Sequence, residues 1–424
     1  MLLSEGEIER FYIPDFNEKH HELVEKTASI IWPNELEEPG DDEWSLGAPS
    51  WAVKPLVNYW VNQFDWEKSS RAKMNKWHHY HMKIDGLLIH YVYEPSLHHH
   101  AIPIVLLHGW PSTFYEFHKL IEPLRDGFND TQAFHVIVPS LPGFGFSEAP
   151  KVKGYGVSKM ASTINSLMLN LGYNKYIYHG GDWGAIIGKW IATHYNQNCK
   201  AYHTNLPMVL PPLPTPRNLL FYPFKVMKFF SSLILGFDTV YGTGKTLLGG
   251  ATFANAEWNN ECGYRAIQGT KPYTLAYGLT DSPVGLLAWM LEKYHDWTYH
   301  SLEKEKETSG LPTTISYDEF LTQVSIYWLT NTMSSSIRIY YECLQQKEMM
   351  KVVLPRITIP VAVCAFAHDI IKIPKDWLEA STDLQQYTEM ISGGHFPALE
   401  EPKLLLEDLQ RFGKKIKEQN LMED

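Results

Sequence analysis

Asp182 sits in the run Gly180-Gly181-Asp182-Trp183-Gly184, after the strand-like KYIYH and before the helix-like AIIGKWIA. A side chain with glycine two residues before and two after it is the pattern of a nucleophile elbow. That strand-to-helix turn is too tight for larger neighbours. The usual serine is replaced here by aspartate. The same five residues also suit a plain glycine turn whose aspartate caps the next helix, so the motif does not decide alone. Two further features bear on it. His108-Gly109-Trp110-Pro111 follows a strand upstream, where this kind of site draws one oxyanion-hole N–H. That donor would be Trp110, and the second would be Trp183, the residue after the nucleophile. Gly393-Gly394-His395-Phe396 lies between a late strand and the last helix, where a general-base histidine belongs. The acid that orients it should lie between those elements. Asp369, ending VAVCAFAHD, fits best, and Asp376 and Asp383 compete from more polar, helix-like surroundings.

A carboxylate nucleophile narrows the reaction. Serine attacks a carbonyl and leaves an acyl-enzyme. At a saturated carbon it would leave an ether that water does not readily cleave. A carboxylate leaves an ester whose own carbonyl water can attack in a second step. It is also ionised at neutral pH. Epoxides and alkyl halides are the substrates that need this chemistry. An epoxide needs in addition an acid for its ring oxygen, and a tyrosine is still protonated at pH 7. The chain has 24 tyrosines, and residue logic alone does not choose among them.

The elements that must hold these groups alternate. From Pro103 onward, IPIVLLHGWP, FHVIVPSLPG, KYIYHGGDWG and VAVCAFAHD read as buried strands running into turns, with helices between them and a last helix after Pro402. That order predicts an α/β fold with a mostly parallel sheet and helices on both faces. Residues 211–345 interrupt it with helical spacing, as in LLAWMLEKYHDW and FLTQVSIYWLT, and predict a helical cap. Residues 1–92 form an N-terminal extension that leads into the first strands. It contains helices over Asn17 to Ile31 and Trp51 to Phe64 and a hairpin at Asp85-Gly86. The core is therefore split into 93–210 and 346–424.

The 424 residues, 44% hydrophobic and 20% charged, exclude a disordered chain. A net charge of −11 argues against nucleic acid as a partner. Cys199, Cys262, Cys343 and Cys364 are far apart, which argues against a disulfide framework or a zinc site. MLLSEGEIERFYIPDF has no apolar run long enough for a signal peptide or membrane anchor, so a cytoplasmic protein is expected. The Asn129 sequon then has little meaning.

HGWPSTFYEF, PSLPGFGFSEAP, GGDWG, DSPVGLLAWMLEKY and GGHFPALEEP together resemble the microsomal-type epoxide hydrolases, which include the juvenile hormone epoxide hydrolases. NYWVNQFDW and IDGLLIHYVY resemble that branch's N-terminal region. The resemblance implies the α/β-hydrolase fold and the opening of an epoxide to a vicinal diol through Asp182, Asp369 and His395. It requires no cofactor and no metal, and its partners are an apolar epoxide and water. It also implies two cap tyrosines as ring-opening acids: Tyr264, in the YRAIQGTKP segment, and Tyr340, in RIYYE, with Tyr341 the alternative register. Ser112 and Ala185 stand where the family commonly has Gly and Ser. Asp369 matches the fungal members, where mammalian ones carry Glu. Peripheral association with the endoplasmic reticulum stays open, as does oligomeric state.

Three motifs look like sites and are read otherwise. Gly242 to Thr246 lacks the leading glycine of a phosphate loop, Gly145 to Ala149 lacks the closing glycine of a serine elbow, and His98-His99-His100 reads as a solvated loop. The charged run at 303–310 reads as a surface loop of the cap. The rival activities are a haloalkane dehalogenase, which also places Trp after Asp, and a non-catalytic receptor for apolar ligands.

Overall fold

The computed structural model describes residues 3–37, 43–128, 131–242, 261–301 and 309–423. The sequon, the glycine-threonine run at 242–246 and the charged run at 303–310 fall wholly or partly outside them. Among the described residues, nine strands form one sheet. They are β1 (Ile8–Phe11), β2 (His79–Ile84), β3 (Leu87–Glu94), β4 (Ile102–Leu107), β5 (Phe134–Pro139), β6 (Tyr176–Gly180), β7 (Cys199–Thr204), β8 (Pro360–Ala365) and β9 (Asp383–Glu389). Their order is β1-β2-β3-β5-β4-β6-β7-β8-β9. The pairings from β1 to β5 are antiparallel, and all those from β5 to β9 are parallel.

The central parallel strand β4 is apolar on both faces because helices cover both. Ile104 to Leu107 of β4 have no exposed surface. Since β4, β6, β7 and β8 run in one direction, their C-terminal ends deliver His108-Gly109-Trp110, Asp182, Asn205 and the Asp369 loop to a single edge of the sheet. Open α/β sheets bind ligands at that edge. The hairpin lies where Asp85-Gly86 predicts it, with both residues at positive φ, 52° and 77°.

Two expectations need correction. The first helix stops at Ala28, short of Ile31. The Ser29 hydroxyl donates to the carbonyls of Glu25 and Lys26 and so caps the helix early. Asp383 opens the strand β9, not a helix-like stretch, because its segment pairs in parallel with β8. β1 carries no signal of its own; pairing with β2 creates it.

Between β7 and β8 the described chain is helical. Four of its helices begin at Pro216, Pro223, Pro272 and Pro283, where the missing N–H and fixed φ suit a first turn. The helix Tyr317–Thr330 starts with a capping box of Ser316 and Glu319. The N-terminal extension braces this insertion. Trp60 Nε1 donates to Ser325 Oγ at 2.8 Å, Tyr59 Oη to Asp318 at 3.0 Å, and Trp328 Nε1 to the Lys19 carbonyl at 3.1 Å. The helices Pro216–Phe221 and Pro223–Leu235 expose Leu220, Phe221, Phe224 and Ile234. Among the described residues, no helix is long and apolar enough to cross a membrane.

Candidate active site

Asp182 is the first residue of the helix Asp182–His194 and has φ 44°, a left-handed conformation costly for a residue with a side chain. The surrounding glycines make the turn possible. A Cβ on Gly184 would stand 2.1 Å from the Leu107 carbonyl oxygen. On Gly180 it would stand 2.6 Å from the Gly184 backbone, and on Gly109 2.1 Å from Asp182 Oδ1. The capping alternative does not hold. Gly181 is the N-cap, and Asp182 Oδ1 accepts instead from the Trp110 N–H, at 2.7 Å, across the cleft. Among the described residues no hydrogen bond runs from the Trp183 N–H to this carboxylate. Donors for a developing oxyanion often align only once the charge forms.

His395 faces Asp182 from the other side. Its Nε2 lies 3.3 Å from Asp182 Oδ2 and its Nδ1 2.8 Å from Asp369 Oδ1. Asp369 is buried and its carboxylate is filled. Oδ1 also accepts from the Ile370 N–H at 2.7 Å, and Oδ2 from Asn205 Nδ2 at 2.9 Å. Asp376 pairs with Lys228 at 2.7 Å, and Asp383 accepts from Gln385 at 3.2 Å, so of the three candidate acids only Asp369 touches His395. Burial works against charge on the imidazole. The carboxylates of Asp369 and Asp182 outweigh it and carry its pKa up to about 10.

The two cap tyrosines meet above this edge. Tyr264 belongs to the helix Gly263–Thr270 and Tyr340 to Arg338–Gln345. Their ring centroids are 5.9 Å apart at 82°. Tyr264 stacks on Trp110 at 5.7 Å and leans on Trp297 at 5.3 Å, while Tyr340 stands edge-on to Trp183 at 4.8 Å. Burial pushes both phenols above the ordinary tyrosine range. The Asp182 charge adds to this, and for Tyr340 so does Tyr264. Both therefore hold their protons at neutral pH. Tyr341 is half-buried and lines a different cleft, with Lys151, Lys271 and Glu342.

Residues 8–117 match the family described as Epoxide hydrolase N terminus, and residues 102–240 the family described as alpha/beta hydrolase fold. The chain is 35% identical over 419 residues to Epoxide hydrolase 1 of Sus scrofa, covering 96% of this chain and 88% of that protein. The chain belongs to the epoxide hydrolase family. It is 34% identical to Juvenile hormone epoxide hydrolase 1 of Ctenocephalides felis, over 87% of this chain and 78% of that one. The crystal structure of juvenile hormone epoxide hydrolase from the silkworm Bombyx mori superposes with a TM-score of 0.78 at 28% identity, covering 97% of this chain and 94% of that chain. The Aspergillus niger epoxide hydrolase does so with a TM-score of 0.75 at 27% identity, covering 98% and 97%. The sheet and its helices are those of the α/β-hydrolase fold.

Several residues of this epoxide hydrolase site escaped sequence reasoning. Asn205 could have been found, since it directly follows a strand that ends at the same edge as the elbow. Trp297, which touches both His395 and Tyr264, carries no local signal in a tryptophan-rich cap. Glu116 and Glu400 are buried carboxyls beside the site, and burial raises both to about 7. Around Glu116, Ser112 and the His395 charge oppose the rise; around Glu400, main-chain N–H donors do. Elsewhere, His203, Cys364 and Asp408 lie close enough to hold a metal ion, as do Glu261, Glu292 and Asp296. His203 Nε2 is already 3.0 Å from Asp408 Oδ2. The near-elbow serine, Ser147, is buried and donates to the Ser140 carbonyl, a structural contact.

Proposed function

We propose that this chain opens an apolar epoxide to a vicinal diol through an ester on Asp182, with Tyr264 and Tyr340 as acids, His395 as base and Asp369 as its orienting partner. The observation that carries the reading is the Asp182 carboxylate at a glycine-lined elbow, hydrogen-bonded on one oxygen by Trp110 N–H and facing His395 with the other. In the first step an Asp182 oxygen attacks an epoxide carbon, the ring C–O bond breaks, and the ring oxygen takes a proton from one tyrosine. Ester formation removes the Asp182 charge, one of the two that hold the proton on His395. That proton then passes to the tyrosinate, which leaves His395 neutral and able to act as a base.

In the second step water attacks Cγ of Asp182 and gives its proton to His395. The N–H groups of Trp110 and Trp183 hold the oxyanion. Collapse expels the diol oxygen, which takes the proton back. The carboxyl proton of Asp182 then returns to His395 and restores the ion pair. Asp369 steadies the imidazolium each time it forms. A dehalogenase gains no support, because a departing halide leaves as an anion and gives two buried phenols no proton to deliver.

A single turnover in heavy-oxygen water is expected to place label in the peptide that contains Asp182, and Asp182→Ala to form no diol. Label confined to the diol would mean direct attack by water and would overturn the ester.

A further inference from the structure

Glu400 ends the short helix Pro397–Glu400, five residues after His395, and is buried. It makes no ion pair among the described residues. Its carboxylate instead gathers three main-chain N–H donors. Gly394 donates to Oε2 at 2.9 Å, Phe396 to Oε1 at 3.0 Å, and Tyr299 to Oε2 at 2.8 Å. The first two flank His395. The third lies in the cap, just after the helix Pro283–Asp296. The same two segments are tied a second time by the His395 N–H donating to the Trp297 carbonyl at 2.7 Å. They lie so close that a Cβ on Gly394 would stand 2.4 Å from that carbonyl oxygen.

The imidazole bonds to Asp369 and Asp182 set the ring's rotation, but they do not hold the main chain that carries it. That chain opens with two glycines, and Gly393 sits at φ 85°, so it has little stiffness of its own. Burial without a counter-ion raises Glu400 to about 7, and the three N–H donors oppose that rise by favouring the ionised form. In its ionised form it is a pure acceptor with two oxygens, and can gather donors from both sides of a histidine where a neutral amide would set its own N–H against theirs.

We propose that Glu400 is a positioning residue: it clamps the His395 loop to the Trp297–Tyr299 segment of the cap, and so fixes the base for attack of water on the Asp182 ester. The inference rests on the ester reading above. Attack by Asp182 on the epoxide does not use His395 as a base, so loosening the clamp should fall on the second step alone.

The test measures both steps in Glu400→Gln and Glu400→Asp, by quenching of tryptophan fluorescence as the ester forms and by intact mass as it decays. In Glu400→Gln, ester hydrolysis is expected to slow about tenfold or more, ester formation to stay within about twofold, and the adduct to accumulate. Glu400→Asp, which keeps the charge at shorter reach, should recover part of the loss. It also carries the measurement if the glutamine variant does not fold. Unchanged rates, or both steps falling by the same factor, would assign Glu400 to maintenance of the fold and overturn the proposal. A wild-type enzyme that never labels Asp182 would strike the ester reading instead, before any Glu400 variant is compared.

Discussion

On the sheet side of the cleft, Asp182, His395, Asp369, Asn205 and the Trp110 N–H are joined by hydrogen bonds of 2.7 to 3.3 Å. On the cap side, Tyr264 and Tyr340 meet their neighbours through rings 4.8 to 5.9 Å apart, and among the described residues no side-chain hydrogen bond fixes the Tyr264 hydroxyl. The first arrangement is directional and allows little play, which suits a base that must aim one water at one carbonyl. The second is held by area and shape, with the acid present in two copies. A hydrogen-bonded triad has no spare member, whereas a duplicated acid in an aromatic wall tolerates different ring-oxygen positions. The two sides should therefore fail differently.

The largest effect is expected on the sheet side. His395→Gln should cut ester hydrolysis by about 10²-fold or more while Asp182 still alkylates, because a carboxylate needs no base to attack. The enzyme should gain one substrate mass on mixing. A folded variant that binds substrate and forms no adduct would place His395 before the ester and erase the division of labour.

The cap should yield in stages. Tyr264→Phe and Tyr340→Phe should each slow ring opening by up to about 10²-fold, with the double variant close to inactive. Rapid-quench measurement of ester formation reads this directly. A double variant that alkylates at the normal rate would show that the acid lies elsewhere and that the aromatic wall only shapes the cleft.

The smallest effect links the two sides without turnover. Asp182→Asn removes one of the charges that raise His395, so its titration, followed by histidine NMR, should move down from about 10. A raised folded-state pKa gives stability that is full below the ordinary imidazole value and is lost as pH climbs from there through the raised one. In the variant this contribution should be smaller and its loss complete at lower pH. An unchanged titration would mean that Asp369 alone holds the proton, and that ester formation does not free His395.

Local steric rules made part of this molecule legible. The elbow could be read because a turn this tight has no room for a side chain at Gly180 or Gly184. The parallel sheet could be read because its central strands, covered on both faces, are largely apolar. The carboxylate at position 182 narrowed the reaction by its chemistry alone. The choice of Tyr264 and Tyr340 came from family resemblance and not from the residues, since 24 tyrosines share one composition and only packing separates them.

What the tertiary structure alone decided involves partners far apart in the chain. Asn205 reaches Asp369 across 164 residues, and Tyr299 reaches Glu400 across 101. The strand β1 exists only because β2 offers it an edge. None of these has a local signature. A hydrogen bond between distant segments depends on where the sheet and the cap place their ends, and no spacing along the chain records that distance.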